Sequence, residues 1–381
     1  MKVKAVIFDL DGVIADTEPL SANADEIVLG RHGIRMTPKE KHEAFGRKVE
    51  EIYDDAIKAR GLNLDAKLLL EEKDEVFVGL IKGSMKPVKN SLELVGFLKK
   101  SGCRVALATS SHEVKMVAEL KELGIASLFE VKVNGDEVKR GKPDPEIFMK
   151  AAKRLGVKPG ECAVIEDSGF GVKAAKRAGM LAIGFRSPNS PGQDLSEADM
   201  IVDDLGLVRI YFDKTGLKEA VRVAAISDTH LGLKDRMPEK ILKALEGADI
   251  ILHTGDILDF SVLRHMEKIA PVRAVYGDSD PGSVREELPG LAFTHVFRWK
   301  IGMVHSAGYF GTGKALSIAK RHGCDVLVYG HSHWPAIKKR DGVWLINSGS
   351  AAMPLLALLV KRTIAILEIS QNEIRPKLMK I

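Results

Sequence analysis

The chain has 381 residues, 45% of them hydrophobic and 29% charged, with a formal net charge of +5. This length and balance lead one to expect a soluble globular protein of two domains with real cores. No apolar run is long enough to span a bilayer, and the opening MKVKAVIFDLD meets acidic residues too early for a signal peptide, so a cytoplasmic protein is expected.

Charge is spread unevenly. Residues 213–381 hold 24 Lys+Arg and 18 Asp+Glu, a net of +6, which leaves 33 and 34, a net of −1, for residues 1–212. The asymmetry favours an anionic ligand on the second half. It is too weak to argue nucleic-acid binding, for which no motif is present. Cys103, Cys162 and Cys324 are far apart and odd in number, which argues against a disulfide framework or a thiolate zinc site. Buried structural thiols are expected instead.

Short β-rich runs alternate with helical patterns, which predicts an α/β fold. The first strand is KAVIFDL. A helical insert follows over about residues 15–86, with no convincing strand in it. Inside the insert TPKE reads as a helix start, with Thr37 as N-cap, Pro38 at the first helical position and Glu40 closing a capping box. Strands RVALATS, FEVKVNG, CAVIED, LAIGF and a short ADMIVDDL come next, with helices between most of them. The pattern then loses its periodicity in VRIYFDKTGLKEA, and the domain boundary is expected near Asp213, giving domains 1–212 and 213–381. A second α/β series runs through AVRVAAISD, DIILHTGD, VRAVYGD, IGMVHSA, DVLVYGH, GVWLINSGS and RTIAILEI. The late run MPLLALLV is too short for a membrane helix and is expected to be core.

In the first half, FDLDG sets Asp9 and Asp11 just past a buried strand, where open parallel sheets collect ligands. Two carboxylates there repel unless a cation lies between them, and an all-oxygen site suits Mg²⁺. An ionised Asp can attack phosphorus, and a second can protonate the leaving alcohol and then activate water. Later strand ends add the Thr109 hydroxyl in ALATSS, Lys142 in GKPDP, and Glu166 and Asp167 in VIEDS. A hydroxyl, a cation and a metal-binding acid are what a transferring phosphoryl group needs.

In order and spacing, FDLDGVIADTE, LATSS, GDEVKRGKPDPEIFMKAAKRLGV and VIEDSGFGVKAAKRAGM resemble the haloacid dehalogenase superfamily, in its subfamily with a helical cap inserted after the first strand. The resemblance covers about residues 1–210 and implies a Rossmann-like core. It implies Asp9 as nucleophile, Asp11 as general acid/base, and Thr109 and Lys142 as phosphate holders. It places Mg²⁺ on Asp9, the Asp11 carbonyl and Asp167, with Glu166 in support. Mutase members use a cap histidine twelve residues after the nucleophile. This chain has Ser21 there, which favours hydrolysis of a small sugar- or nucleotide-type phosphate over a phosphomutase. In the cap, FGRKVEE contributes Gly46, Arg47 and Glu50, and Arg47 or Lys48 is a candidate substrate contact.

In the second half, AISDTHLG puts Asp228 and His230 two residues apart after an apolar run, where strand alternation would aim both the same way. Asp256 follows in LHTGD, His305 in MVHS, and His331 and His333 in VYGHSHWP. Mixed imidazole and carboxylate donors suit Mn²⁺, Fe²⁺, Ni²⁺ or Zn²⁺, and the donors outnumber what one metal needs.

With YGDSD and INSGS, these motifs are similar to the calcineurin-like metallophosphoesterases, in the small bacterial and archaeal phosphodiesterase branch. The resemblance covers about residues 220–381 and implies a four-layer αββα domain. It implies one metal on Asp228, His230, Asp256 and His333, and another on Asp256, His305, His331 and Asp278. Position 278 is usually Asn, and Asp there adds negative charge where an anion must bind. The chain also reads His305-Ser306-Ala307 where a second histidine is frequent. The same Asn-to-Asp change occurs in the retromer scaffold subunit, so a protein-binding scaffold is the alternative for this half. Asp256 and His333, where that scaffold departs from the metal-binding pattern, are intact. The combined expectation is a bifunctional phosphoesterase acting on small-molecule phosphate esters.

Overall fold

A four-residue run, AVIF, forms β1 (Ala5–Phe8), with every residue buried. Burial on both faces is the mark of a central parallel strand. Around it lie β2 (Arg104–Ala108), β3 (Val131–Val133), β4 (Cys162–Glu166), β5 (Leu181–Phe185) and β6 (Met200–Val202) in the order β3-β2-β1-β4-β5-β6. All the pairings are parallel. The order reverses beside β1, so the carboxyl ends of β1 and β4 flank the switch point where such sheets bind ligands. The computed structural model describes residues 3–38, 40, 49–213, 216–232, 237–308, 312–352 and 361–381. It divides into two compact units, Met1–Leu217 and Lys218–Ile381.

Between β1 and β2 the first unit carries helices α1 (Glu18–Arg31), α2 (Val49–Ala59) and α3 (Ala66–Ile81), then α4 (Ser91–Lys100). The insert shows no strand among the described residues, only isolated bridges at Ala15. The Thr37 capping box is present: Glu40 N–H donates to Thr37 Oγ1 at 3.2 Å, and Thr37 N–H donates to Glu40 Oε2 at 2.6 Å. The insert has its own apolar cluster, built on Val28, Leu29, Tyr53, Ile57 and Leu69. After β2 come α5 (Glu113–Glu122), α6 (Glu146–Leu155) and α7 (Gly169–Arg177). In α6 the buried residues Ile147, Phe148, Ala151, Ala152 and Leu155 form one stripe, and Gly156 at φ 65° ends the helix. All three cysteines are free and buried.

The aperiodic stretch after β6 forms a 3-10 helix over Leu205–Tyr211 and a short hairpin of β7 (Phe212–Asp213) and β8 (Gly216–Leu217). The second unit then builds two mixed five-stranded sheets. One is β11-β10-β9-β17-β18, from β9 (Ala220–Ile226), β10 (Ile250–Thr254), β11 (Val272–Val275), β17 (Thr363–Ser370) and β18 (Ile374–Lys380). The other is β12-β13-β14-β16-β15, from β12 (Leu291–Val296), β13 (Trp299–Val304), β14 (Val326–Tyr329), β15 (Ala336–Arg340) and β16 (Val343–Asn347). Strands β12, β15 and β18 go beyond the expected series, and each is a sheet edge. Edge strands carry charge to discourage further pairing, which hides their alternation: IRPKLMK of β18 buries only Ile374. The run MPLLALLV falls outside the described residues. No described helix is long and apolar enough to cross a membrane.

Candidate active sites

Asp9 leaves β1 directly, and Asp167 leaves β4; both are buried. Lys142 stands against this cluster. Its Nζ lies 2.7 Å from Asp9 Oδ1 and 2.5 Å from Glu166 Oε1, with the side chain 7% exposed. Asp9, Glu166 and Asp167 each offer an oxygen within 4.8 Å of the others. Gly12, at φ 72°, permits this closeness, since a Cβ there would meet Asp167 Oδ2 at 2.1 Å. Burial pushes the Asp9 carboxyl up to about 7; Lys142 opposes this, and Glu166 and Asp11 add to it. Burial, then Glu166 and Asp9, likewise hold Asp167 well above the usual range. Three buried carboxyl groups against one ammonium leave the cluster short of positive charge. An all-oxygen donor set with that deficit fits a hard divalent cation.

Asp11 has a different set of partners. Lys115 Nζ and Thr17 Oγ1 each donate to its Oδ1 at 2.7 Å, while Ser111 Oγ and Thr109 Oγ1 donate to its Oδ2 at 2.8 and 3.2 Å. Burial disfavours its charge, but Lys115 and the hydroxyls hold the carboxyl well below its ordinary value. Thr109 thus reaches Asp11, and Lys115, Ser111 and Thr17 are site residues that sequence reading missed. Ser111 lies just before α5 and Lys115 in its first turn, and Lys115 Nζ donates to Ser111 Oγ at 3.1 Å. Arg47 and Lys48 lie outside the described residues, as does Gly46; Glu50 sits in the first turn of α2.

The insert reaches the core beside this site. Lys115 Nζ lies 4.7 Å from the Phe77 ring centroid of α3, and His112 Nδ1 lies 3.0 Å from Asp74 Oδ2 of the same helix. The hydrogen bond to Asp74, with further help from Asp74, Asp136 and Glu50 charges, raises the His112 pKa against its partial burial. A raised histidine pKa stabilises the contact fully below the ordinary 6.5 and loses it as pH climbs through the raised value. We therefore expect amide exchange in α3 near Asp74 to speed up beyond its intrinsic rate as pH rises above the ordinary histidine value of 6.5. His112→Gln should flatten that pH dependence; an unchanged profile in the variant would refute the link.

In the second unit both sheets contribute. Asp228 and His230 follow β9, Asp256 follows β10 and Asp278 follows β11; His305 follows β13, and His331 and His333 follow β14. They form two donor groups, Asp228/His230/His333 and Asp278/His305/His331. Asp256 lies between them, with Oδ2 3.6 Å from His230 Nε2 and 3.4 Å from His305 Nε2. Asp278 Oδ2 lies 3.0 Å from His331 Nδ1, and Asp228 Oδ1 lies 3.2 Å from His333 Nε2. All the expected ligands of this half therefore converge.

The reason expected for Asp228 and His230 needs correction. Strand β9 ends at Ile226, so alternation along a strand does not aim them. Instead both are left-handed, at φ 53° and 47°. Asp256, His331 and His333 share that conformation, so five of the nine non-glycine residues at positive φ among the described residues are candidate ligands. Asp, Asn and His tolerate this region best, and strain of this kind gathers at functional sites.

Support comes from residues beside the ligands, two of them inside the YGDSD motif but given no role in the sequence reading. Asp280 is buried and accepts from the backbone N–H groups of Asp256, Ile257, Leu258 and Gly277 at 2.7–3.0 Å. It ties the Asp256 loop to the Asp278 loop. Ser279 donates to Asp256 twice, from its N–H at 2.7 Å and its hydroxyl at 3.0 Å. His305 Nδ1 lies 2.7 Å from the Thr254 carbonyl, an arrangement that turns Nε2 toward the cluster. Burial disfavours the His305 imidazolium, yet Asp256 and Asp228 push its pKa up to about 9. Mixed nitrogen and oxygen donors around a shared carboxylate fit divalent transition metals.

Comparison with known proteins agrees with this architecture. The family model for haloacid dehalogenase-like hydrolases matches residues 6–185, and that for the calcineurin-like phosphoesterase superfamily domain matches residues 221–372. The chain is 38% identical over 204 residues to the phosphorylated carbohydrates phosphatase of Thermotoga maritima, covering 52% of this chain and 93% of that protein. It is 35% identical over 183 residues to fructose-1-phosphate phosphatase YqaB of Escherichia coli, covering 48% and 95%. The crystal structure of CbbY from Rhodobacter sphaeroides in complex with phosphate matches with a TM-score of 0.50 at 26% identity, over 54% of this chain and 95% of that one. Fold, sites and likenesses define a phosphoric ester hydrolase. The chain belongs to the haloacid dehalogenase-like hydrolases through its first unit, and its second unit is similar to the calcineurin-like phosphoesterase superfamily domain.

Proposed function

We propose a bifunctional phosphoesterase with domains 1–212 and 213–381: a phosphomonoesterase for small phosphorylated sugars, joined to a phosphodiesterase. For the first domain, the observation that carries the reading is the buried Asp9–Lys142–Glu166 chain at the switch point. Asp9, the Asp11 carbonyl and Asp167 would hold Mg²⁺, with Glu166 in support. Mg²⁺ would neutralise charge on the transferring phosphoryl group. Asp9 attacks phosphorus as the ester P–O bond breaks, and the leaving alkoxide takes a proton from Asp11. Asp11 then takes a proton from water as that water attacks phosphorus and the P–O bond to Asp9 breaks. Lys142 and Thr109 hold the phosphoryl oxygens. The first step needs Asp11 protonated, which its four donors oppose; the second needs it ionised, which they favour. Ser21, in place of the mutase histidine, supports release to water.

For the second domain the carrying observation is Asp256 between two donor groups. Asp228, His230, Asp256 and His333 would hold one divalent metal, and Asp256, His305, His331 and Asp278 another, drawn from Mn²⁺, Ni²⁺, Fe²⁺ or Zn²⁺. Such a pair would supply hydroxide near neutral pH and clamp the phosphate. The scaffold reading needs a dismantled site, whereas every ligand position is filled. The expected result is hydrolysis of bis-p-nitrophenyl phosphate with Mn²⁺ by an Asp9→Asn chain, falling about 10²-fold or more on further Asp256→Asn change. No hydrolysis with Mn²⁺, Ni²⁺ or Zn²⁺ would overturn the diesterase reading in favour of the scaffold.

A further inference from the structure

The chain has three tryptophans, and two are accounted for by the fold. Trp299 Nε1 donates to the Ser370 carbonyl at 2.8 Å, with Arg298 4.6 Å from its ring; Trp344 lies under Lys339 at 5.1 Å. Trp334 differs. It is 59% exposed, and it is the one aromatic among the exposed large hydrophobic residues described. A side chain this large is ordinarily buried for most of its area.

Its position gives the exposure meaning. Trp334 directly follows His333, whose Nε2 lies 3.2 Å from Asp228 Oδ1. Consecutive Cα atoms are about 3.8 Å apart, so the Trp334 backbone is anchored beside a donor of the cluster. Its backbone is fixed on both sides. Trp334 N–H donates to Ser332 Oγ at 3.3 Å, and that hydroxyl takes a second bond from the buried Asn347 amide at 3.0 Å. On the other side Pro335 lies against Gly349, where a Cβ would meet Pro335 Cβ at 3.1 Å. A residue before proline is restricted to extended backbone. The ring is thus exposed on a rigid mount, which loses little entropy on binding a flat partner.

We infer that Trp334 is the specificity platform of the second site, stacking a planar aromatic arm of the substrate, and that the site takes nucleoside-type phosphodiesters in preference to purely aliphatic ones. This rests on the diesterase reading above. Stacking a base on an aromatic side chain needs no hydrogen bonds, so it fits an indole that offers mainly its face.

The test uses the full chain carrying Asp9→Asn, so that the first site does not consume monoesters, with Mn²⁺ and bis-p-nitrophenyl phosphate. AMP and ribose 5-phosphate, which differ by the base, are compared as competitive inhibitors. The expected inhibition constant for AMP is about tenfold lower. Trp334→Ala should bring that ratio to about one, and Trp334→Phe should keep most of it. Equal constants in the unaltered platform, or a ratio that survives Trp334→Ala, would overturn the proposal while leaving the diesterase reading standing. Absence of hydrolysis with any of the metals would overturn both.

Discussion

Asp9→Asn is expected to cut phosphate release from a sugar monophosphate with Mg²⁺ by about 10⁴-fold or more, while hydrolysis of bis-p-nitrophenyl phosphate with Mn²⁺ stays within about twofold. The substitution is isosteric and leaves Lys142 and Glu166 in place. What it removes is the oxygen that would carry the phosphoryl group, because an amide is not a competent nucleophile. Asp9 is already buried with a raised pKa, and the neutral amide suits that burial. Folding should therefore survive, and a thermal melt would establish that loss of activity is chemical. A monoesterase rate within tenfold of the parent would remove Asp9 from the nucleophile role. A parallel loss of diester hydrolysis would mean that one site does both reactions.

The second large effect is expected at Asp280. Its buried side chain closes four backbone N–H groups from two loops. Asp280→Ala strands those donors, each costing about 1–3 kcal/mol when left unsatisfied. Water entering the gap recovers part of this, so a net loss of roughly 3–5 kcal/mol is expected. For a domain of this size that lowers the melting temperature by on the order of 10 °C. Calorimetry of the full chain in chelator should show the second unit's transition move and the first unit's stay. Metal affinity should fall as well, because the Asp256 N–H is among the four. A shift under about 3 °C would show that the clamp is not what holds the two loops.

What could be read from the chain beforehand follows the range of the interactions involved. Strand ends are local. AVIF, CAVIE and IILHT declare themselves by short apolar runs ended by acid or glycine, and those ends carry Asp9, Asp167 and Asp256. The capping box at Thr37 is local too. Long-range partners leave no such trace. Nothing near Asp11 in sequence points to Lys115, 104 residues away, and although Asp280 lies in the YGDSD motif, nothing there shows that it ties down the Asp256 backbone 24 residues away. Both are charged residues in polar stretches, and they look like surface until the fold buries them. The edge strands β15 and β18 are hidden for a related reason: most of their residues answer to solvent, so their composition follows water and not the core; the largely apolar β12 has no such explanation.

The left-handed ligands have a consequence for how such a domain can change over time. At Asp228, His230, Asp256, His331 and His333 the backbone itself filters substitutions. Asparagine and glycine enter at little conformational cost, while valine, isoleucine and threonine meet a steric penalty before any metal is considered. The inexpensive mutational steps at these positions are therefore those that remove a ligand and spare the chain path. A lineage under no pressure for catalysis would drift toward a silent site on an intact fold, with its surface free for other use. Retention of acid or imidazole at all five positions is what that drift would erase first.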